Sequence, residues 1–185
     1  MTLLSFGVAA VCAVSSMTFA QTAPAEVKAA PAAKVDMTAV AKQFEGKTEV
    51  AKDGKYSPAE VKPNAKYYLI LSSASWCGPC RAEMPSIVKE YEKIAKNADL
   101  ELILVSADRD QAAAEKWAKD TQMNFPTVLP NKGNDIEVLK LRTSRGIPSL
   151  MIVDAEGKVV AEQHPAILMK KYEQTIKEYQ DKKAQ

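Results

Sequence analysis

The sequence predicts an α/β domain in which a mixed β-sheet is covered by helices. Three observations carry that expectation. At 185 residues with 46% apolar side chains, the chain can bury one core and is short for two domains. Strand-like and helix-like segments alternate along its second and third quarters, and a strand, turn, strand and amphipathic segment complete it. A pair of cysteines three residues apart stands where the first long apolar strand gives way to the first long helix.

Residues 1–20 carry no charged side chain and end in Thr18-Phe19-Ala20, a small-x-small pattern suited to signal peptidase, so they are expected to form a signal peptide with the mature chain starting near Gln21. The segment lacks Lys or Arg ahead of its apolar run, and Ser15, Ser16 and Thr18 interrupt the ~18 to 20 apolar residues a membrane span needs, so an uncleaved anchor is the second reading. Cys12 follows the bulky Val11 rather than a small residue and is expected to leave with the leader. Residues 21–46 read as a flexible linker, rich in Ala and Pro to about Val35, with a short helix near Met37 to Phe44. The folded domain is placed at residues 47–185.

Within it, Lys47 to Tyr56 holds Asp53-Gly54 between strand-like runs, which predicts a hairpin. Lys66 to Ser72 is aromatic and aliphatic enough for a central strand. Cys77 to about Lys96 spaces Ile87, Val88, Tyr91 and Ile94 as a helix does, with Pro85 placed to kink it. Leu100 to Val105 reads as a strand buried on both faces. Asp110 is placed to cap a helix running to Lys119, and a proline-rich connection from Phe125 to Pro130 leads to a short helical piece at Ile136 to Arg142. Leu150 to Val153, a tight turn at Asp154 to Gly157, and Lys158 to Ala161 predict a second hairpin. Pro165 to about Tyr179 closes the chain as one helix that packs through Ile167, Leu168, Tyr172 and Ile176.

The chemistry concentrates in Trp76-Cys77-Gly78-Pro79-Cys80. This spacing lets two sulfurs close a small ring. The first thiol lies at a helix start, where unpaired N–H groups and the positive end of the dipole favour a thiolate, so Cys77 is the expected nucleophile. Cys80, one turn further in, is the expected resolving thiol that attacks the mixed disulfide. A structural disulfide is disfavoured because the loop it would close is short.

Other readings carry less. A net charge of +2 gives no footprint for nucleic acid. A structural zinc needs about four N or S ligands, and beyond Cys12 the chain offers two cysteines and His164, which reads as a cap or surface residue. Trp117 reads as packing, and Lys170, Lys171, Glu173, Lys177 and Glu178 as a solvated helix face.

With these residues in view, the chain from about Glu49 onward resembles the thioredoxin-like superfamily. Ser73-Ala74-Ser75-Trp76-Cys77-Gly78-Pro79-Cys80-Arg81 is similar to the active-site stretch of nucleoredoxins and tryparedoxins. Arg81-Ala82-Glu83-Met84-Pro85 is similar to the exported TlpA-type branch, and Val105 to Asp110 to the nucleoredoxin-like group. Gly146-Ile147-Pro148 resembles the loop that carries the family's cis-proline. The resemblance implies a thioredoxin-like fold, with Ile147 and Pro148 lining a groove where a substrate backbone adds as a strand. Trp76 flanks that groove, and Gly78 and Pro79 complete the substrate-facing set. Gly78-Pro79 between the cysteines implies a reducing character. Two positions depart from the thioredoxin pattern. Leu71 stands where thioredoxins bury an Asp that serves the resolving cysteine, leaving Glu83, Asp108, Glu101 or water as proton carriers. Ser73 stands where thioredoxins place another Trp.

The resulting expectation is a monomeric, extracytoplasmic thiol-disulfide oxidoreductase that reduces protein disulfides. It uses no cofactor beyond its own Cys77-Cys80 pair and is recharged by a membrane electron donor of the DsbD type. The alternatives are an oxidase or isomerase running the same cysteines the other way, and a non-catalytic chaperone or adaptor using the same groove.

Overall fold

The computed structural model describes residues 40–53 and 55–185. The expected leader and most of the linker lie outside the described residues, as does Gly54. In chain order the elements are α1 (Val40–Gln43), β1 (Thr48–Lys52), β2 (Lys55–Ala59), β3 (Tyr67–Ser73), α2 (Gly78–Lys96), β4 (Leu100–Ser106), α3 (Gln111–Thr121) and β5 (Thr127–Val128). A 3-10 helix (Glu137–Leu141), β6 (Ser149–Asp154), β7 (Val159–Gln163), α4 (Pro165–Leu168) and α5 (Tyr172–Lys183) follow.

Among the described residues the strands form one sheet in the order β2-β1-β5-β4-β3-β6-β7. The centre is β3, buried along its whole length, parallel to β4 and antiparallel to β6. Alternation along β3 sorts the core. Leu69 and Leu71 join Leu102, Leu104, Leu150 and Ile152 on the face covered by α2, α3 and α5. Tyr68 and Ile70 join Ile103, Met151 and Val153 on the opposite face, under Val40, Phe44 and Val138. Each of these side chains contributes about 1.5 to 3 kcal/mol by leaving water, so a one-residue slip of β3 would exchange both faces and lose that burial.

The predicted hairpin forms as β1 and β2, with Asp53 left-handed at φ 51° in the turn. Pro58 is tolerated because β2 is an edge strand. The proline-rich connection holds a strand the sequence did not signal. β5 is two residues long between Pro126 and Pro130, yet it pairs parallel with β4 and antiparallel with β1, and so joins the hairpin to the sheet. Two residues are too few for a periodic pattern.

The closing helix also differs from expectation. It breaks into α4 and α5, because the amides of Lys170 and Lys171 turn back to carbonyls three residues earlier, those of Ile167 and Leu168. Leu168, Tyr172 and Ile176 are buried as expected, whereas Ile167 lies off that stripe and is 53% exposed. His164 caps α4, its Nδ1 accepting the Ala166 N–H at 3.3 Å.

Asp154, at the end of β6, holds α5 to the sheet. Its carboxylate accepts the Tyr179 hydroxyl at 2.7 Å and the Lys158 N–H at 2.8 Å, with Lys183 Nζ at 3.5 Å. Burial alone would raise its pKa, but these partners outweigh burial and hold it below the usual aspartate value. A carboxyl depressed in the fold stabilises above its unfolded pKa and loses that contribution as pH falls through the folded one. Asp154→Ala is therefore expected to cost about 2 to 4 kcal/mol at pH 7. Urea midpoints should show the wild type converging on the variant as pH drops below about 4.

Candidate active site

The end of β3 delivers the reactive pair. After Ser73 the chain turns through Ala74, Ser75 and Trp76, and Cys77 caps α2. Pro79 fits there because the first turn of a helix has no use for its missing N–H. Further along, Pro85 lies within α2 and leaves the Arg81 carbonyl without its helical N–H partner.

Cys77 and Cys80 are joined as a disulfide, with Cα atoms 5.2 Å apart. Cys77 Sγ accepts the Cys80 N–H at 3.2 Å and lies 3.8 Å from the Ile147 carbonyl oxygen. In the reduced chain that N–H and the helix start stabilise a Cys77 thiolate, and no acidic residue in the first turn opposes it. Cys80 is 1% exposed against 6% for Cys77, so Cys77 is the less buried of the two.

Below the pair lies hydrocarbon. Leu71 is fully buried between Leu104 and Leu150 and belongs to the same cluster as both cysteines. Around it the surface is open. Trp76 is 63% exposed, with its ring held by a 3.1 Å hydrogen bond from Nε1 to the Ala107 carbonyl. The Ile147–Pro148 bond is cis, and Ile147 packs against the core cluster that contains the cysteines. A cleft of about 680 Å³ opens beside the motif, lined by Ser75, Gly78, Arg81, Lys116 and Trp117. The structure thus brings Trp76, Cys77, Gly78, Cys80 and Ile147 to one end of the sheet, beside Pro148.

The carboxylates separate by position. Asp108 is buried and engaged at both oxygens. Oδ1 accepts the Ser75 N–H at 2.9 Å and the Ser75 hydroxyl at 2.6 Å, and Oδ2 accepts the Ser106 hydroxyl at 2.9 Å. It fastens the loop before Trp76 to the end of β4, a role the sequence did not signal. Glu101 pairs across from Tyr68 at the far end of β4, about 17 Å of strand away from Ser106. It accepts the Lys62 and Leu102 N–H groups, and burial raises its pKa in spite of them. Glu83, one turn beyond Cys80 on α2, is half-buried and faces the groove against α4 and α5. Ser73 is buried, and its hydroxyl has no hydrogen-bond partner among the described residues.

This arrangement can pass two electrons. A Cys77 thiolate can attack a disulfide, and Cys80 can then displace the partner from Cys77.

The family described as AhpC/TSA matches residues 37–162, well over half of the chain. The chain belongs to the AhpC/TSA family. Among its relatives in this family and around it, the thiol-disulfide oxidoreductase ResA of Bacillus subtilis (strain 168) is 30% identical over 86 residues, 46% of this chain and 46% of that protein. A probable nucleoredoxin 1 of Arabidopsis thaliana is 32% identical over 98 residues, 52% of this chain and 16% of that protein. The chain thus spans about half the length of ResA and a smaller part of the nucleoredoxin. Among solved structures, tryparedoxin II from C. fasciculata superposes with a TM-score of 0.57 at 25% identity, covering 75% of this chain and 91% of that one. Thioredoxin from Wuchereria bancrofti gives 0.54 at 23% identity over 72% and 94%, a likeness of fold. The fold of this AhpC/TSA member is thioredoxin-like, as its sequence motifs imply.

Proposed function

We propose that the chain is an extracytoplasmic protein-disulfide reductase. The observation that carries this reading is the position of Cys77. It caps a helix, accepts the Cys80 N–H, lies near the Ile147 carbonyl, and has an exposed Trp76 beside it.

The Cys77 thiolate attacks one sulfur of a protein disulfide. A Cys77-substrate disulfide forms, and the other substrate sulfur leaves as a thiolate that takes up a proton. Cys80 gives up its proton and attacks Cys77 Sγ, and the second substrate thiol departs. The substrate gains two electrons and the Cys77-Cys80 pair loses them. Glu83, one turn from Cys80, and water are the proton carriers this reading favours, since Asp108 is engaged and Glu101 is remote. An extended substrate backbone lies along the Ile147-Pro148 edge, with Trp76 giving an apolar contact. In an oxidising compartment the pair needs a supply of electrons, for which a membrane donor of the DsbD type is the proposed source. The uncharged leader-like residues 1–20 support export, and N-terminal sequencing of the exported protein should begin near Gln21.

The deciding measurement is the reduction potential of the pair, read by thiol labelling against glutathione and dithiothreitol series. A value below about −230 mV is expected, and one above about −180 mV would assign the chain to oxidation or isomerisation. The absence of any redox transition would leave only a binding role.

A further inference from the structure

We infer that Glu162, on β7, is a positioning residue that sets the substrate-docking edge at Ile147-Pro148. The inference rests on the reductase reading above and extends it to a residue outside the cysteine motif.

Glu162 brackets the cis-proline loop from both sides. One carboxylate oxygen accepts the Thr143 N–H at 2.8 Å and the Thr143 hydroxyl at 2.6 Å. The other accepts the Ser144 N–H at 3.0 Å and the Ser149 hydroxyl at 3.0 Å. Thr143 and Ser144 precede Ile147, and Ser149 directly follows Pro148. Within the bracket, the Ser144 hydroxyl donates to the Gly146 carbonyl at 3.2 Å, carrying the restraint to the residue before Ile147.

A carboxylate offers about four lone-pair sites, and four donors occupy them here. Glu162 therefore has no site left for a substrate cation or a proton relay. Its bonds act on the loop alone. Two of the donors are backbone N–H groups, which an irregular loop cannot satisfy by pairing with a neighbouring strand. Their bonds hold the carbonyl of Ile147 near Cys77 Sγ, and the same stretch walls a hollow of about 300 Å³ beside Pro148. Burial alone would raise the Glu162 pKa, yet bonds from Thr143, Ser144 and Ser149 bring it below the usual value, in keeping with a carboxylate kept charged by its donors.

A held edge matters for an extended substrate more than for the sulfur exchange itself. Docking a peptide strand requires several backbone groups to be in register at once, and a loosened edge must be ordered each time a substrate binds. Losing the clamp should therefore appear mainly in KM.

The test is steady-state reduction of insulin disulfides by full-length wild type, Glu162→Ala and Glu162→Gln, with dithiothreitol as the reductant that recharges the Cys77-Cys80 pair, its uncatalysed rate subtracted, and folding checked by circular dichroism. Alanine removes all four bonds. Glutamine keeps one oxygen, but its amide meets a backbone N–H on the other side, donor against donor. The expected result is a rise in KM of about tenfold for alanine and about threefold for glutamine, with kcat within twofold of wild type in both. Should alanine not fold, the threefold rise in glutamine decides. KM within 1.5-fold of wild type in the folded variants, or kcat falling in step with the loss of folded protein, overturns the inference. A wild type that does not reduce insulin at all overturns the reductase reading and this inference with it, a result distinct from an active wild type matched by its variants.

Discussion

In a Cys80→Ser variant, a protein disulfide offered to the reduced chain is expected to end as a stable mixed disulfide on Cys77. The argument is geometric. Cys77 caps α2, where the Cys80 N–H reaches its sulfur and the Ile147 carbonyl stands 3.8 Å off, while Cys80 lies within the core cluster at 1% exposure. On the proposed mechanism, attack on the substrate belongs to Cys77 and release to the sulfur already beside it. Serine at 80 preserves the helix turn and removes the one other cysteine sulfur among the described residues, which would complete the exchange. Turnover should fall by on the order of a thousandfold or more, with one substrate equivalent retained per chain. Non-reducing gels and intact mass would show the adduct, and dithiothreitol would release it. Cys77→Ser should give no adduct. An adduct on Cys80 in that variant would reverse the two roles, and near-normal turnover by Cys80→Ser would remove Cys80 from the cycle.

How far this site could be read in the sequence depends on whether its parts are contiguous. The cysteine pair, Trp76 and the helix start lie in one stretch, so spacing alone was enough to place the two sulfurs together where β3 gives way to α2. The central strands were legible because β3 and β4 are long apolar runs, and α2 and α3 because their buried positions recur at helical spacing. What escaped was held by partners distant in sequence. Asp108 fastens Ser75 from thirty-three residues away, and Glu162 fastens Thr143 from nineteen. Neither carries a local pattern that distinguishes it from a surface acid. β5 escaped for a related reason, since its existence depends on two neighbours, β4 and β1, rather than on its own two residues. Likewise Ile167 looked like part of a packing stripe until the break between α4 and α5 turned it outward.

Leu71 lies in the centre of the sheet, and Leu71→Asp is expected to have the largest effect on stability. Leu71 is fully buried in the core cluster that also holds both cysteines, so cutting it back to a smaller side chain costs about 3 to 5 kcal/mol from lost contacts and the cavity left behind. A carboxyl in that space is held protonated by burial, its pKa raised above the unfolded value of about 3.9. The sign follows from linkage. A group whose folded pKa is raised stabilises most below its unfolded pKa and loses that contribution as pH rises through the folded one. The variant should therefore unfold at steadily lower urea from pH 4 to pH 8, whereas Asp154 and Glu162, whose carboxyls are depressed, push the wild type the other way at the acid end of that range. Since whole domains are stable by only about 5 to 15 kcal/mol, the variant at pH 8 should stand close to unfolding. Where it remains folded, near pH 5 to 6, the new carboxyl is protonated and cannot take a proton from Cys80, so release of substrate from the Cys77 mixed disulfide should stay at the wild-type rate. Urea midpoints across pH and single-turnover release of a labelled peptide would measure both effects. A stability loss that does not vary with pH would place the carboxylate in water rather than in the core, and faster release in the folded variant would show that the carboxyl is ionised there, against the raised pKa that burial requires.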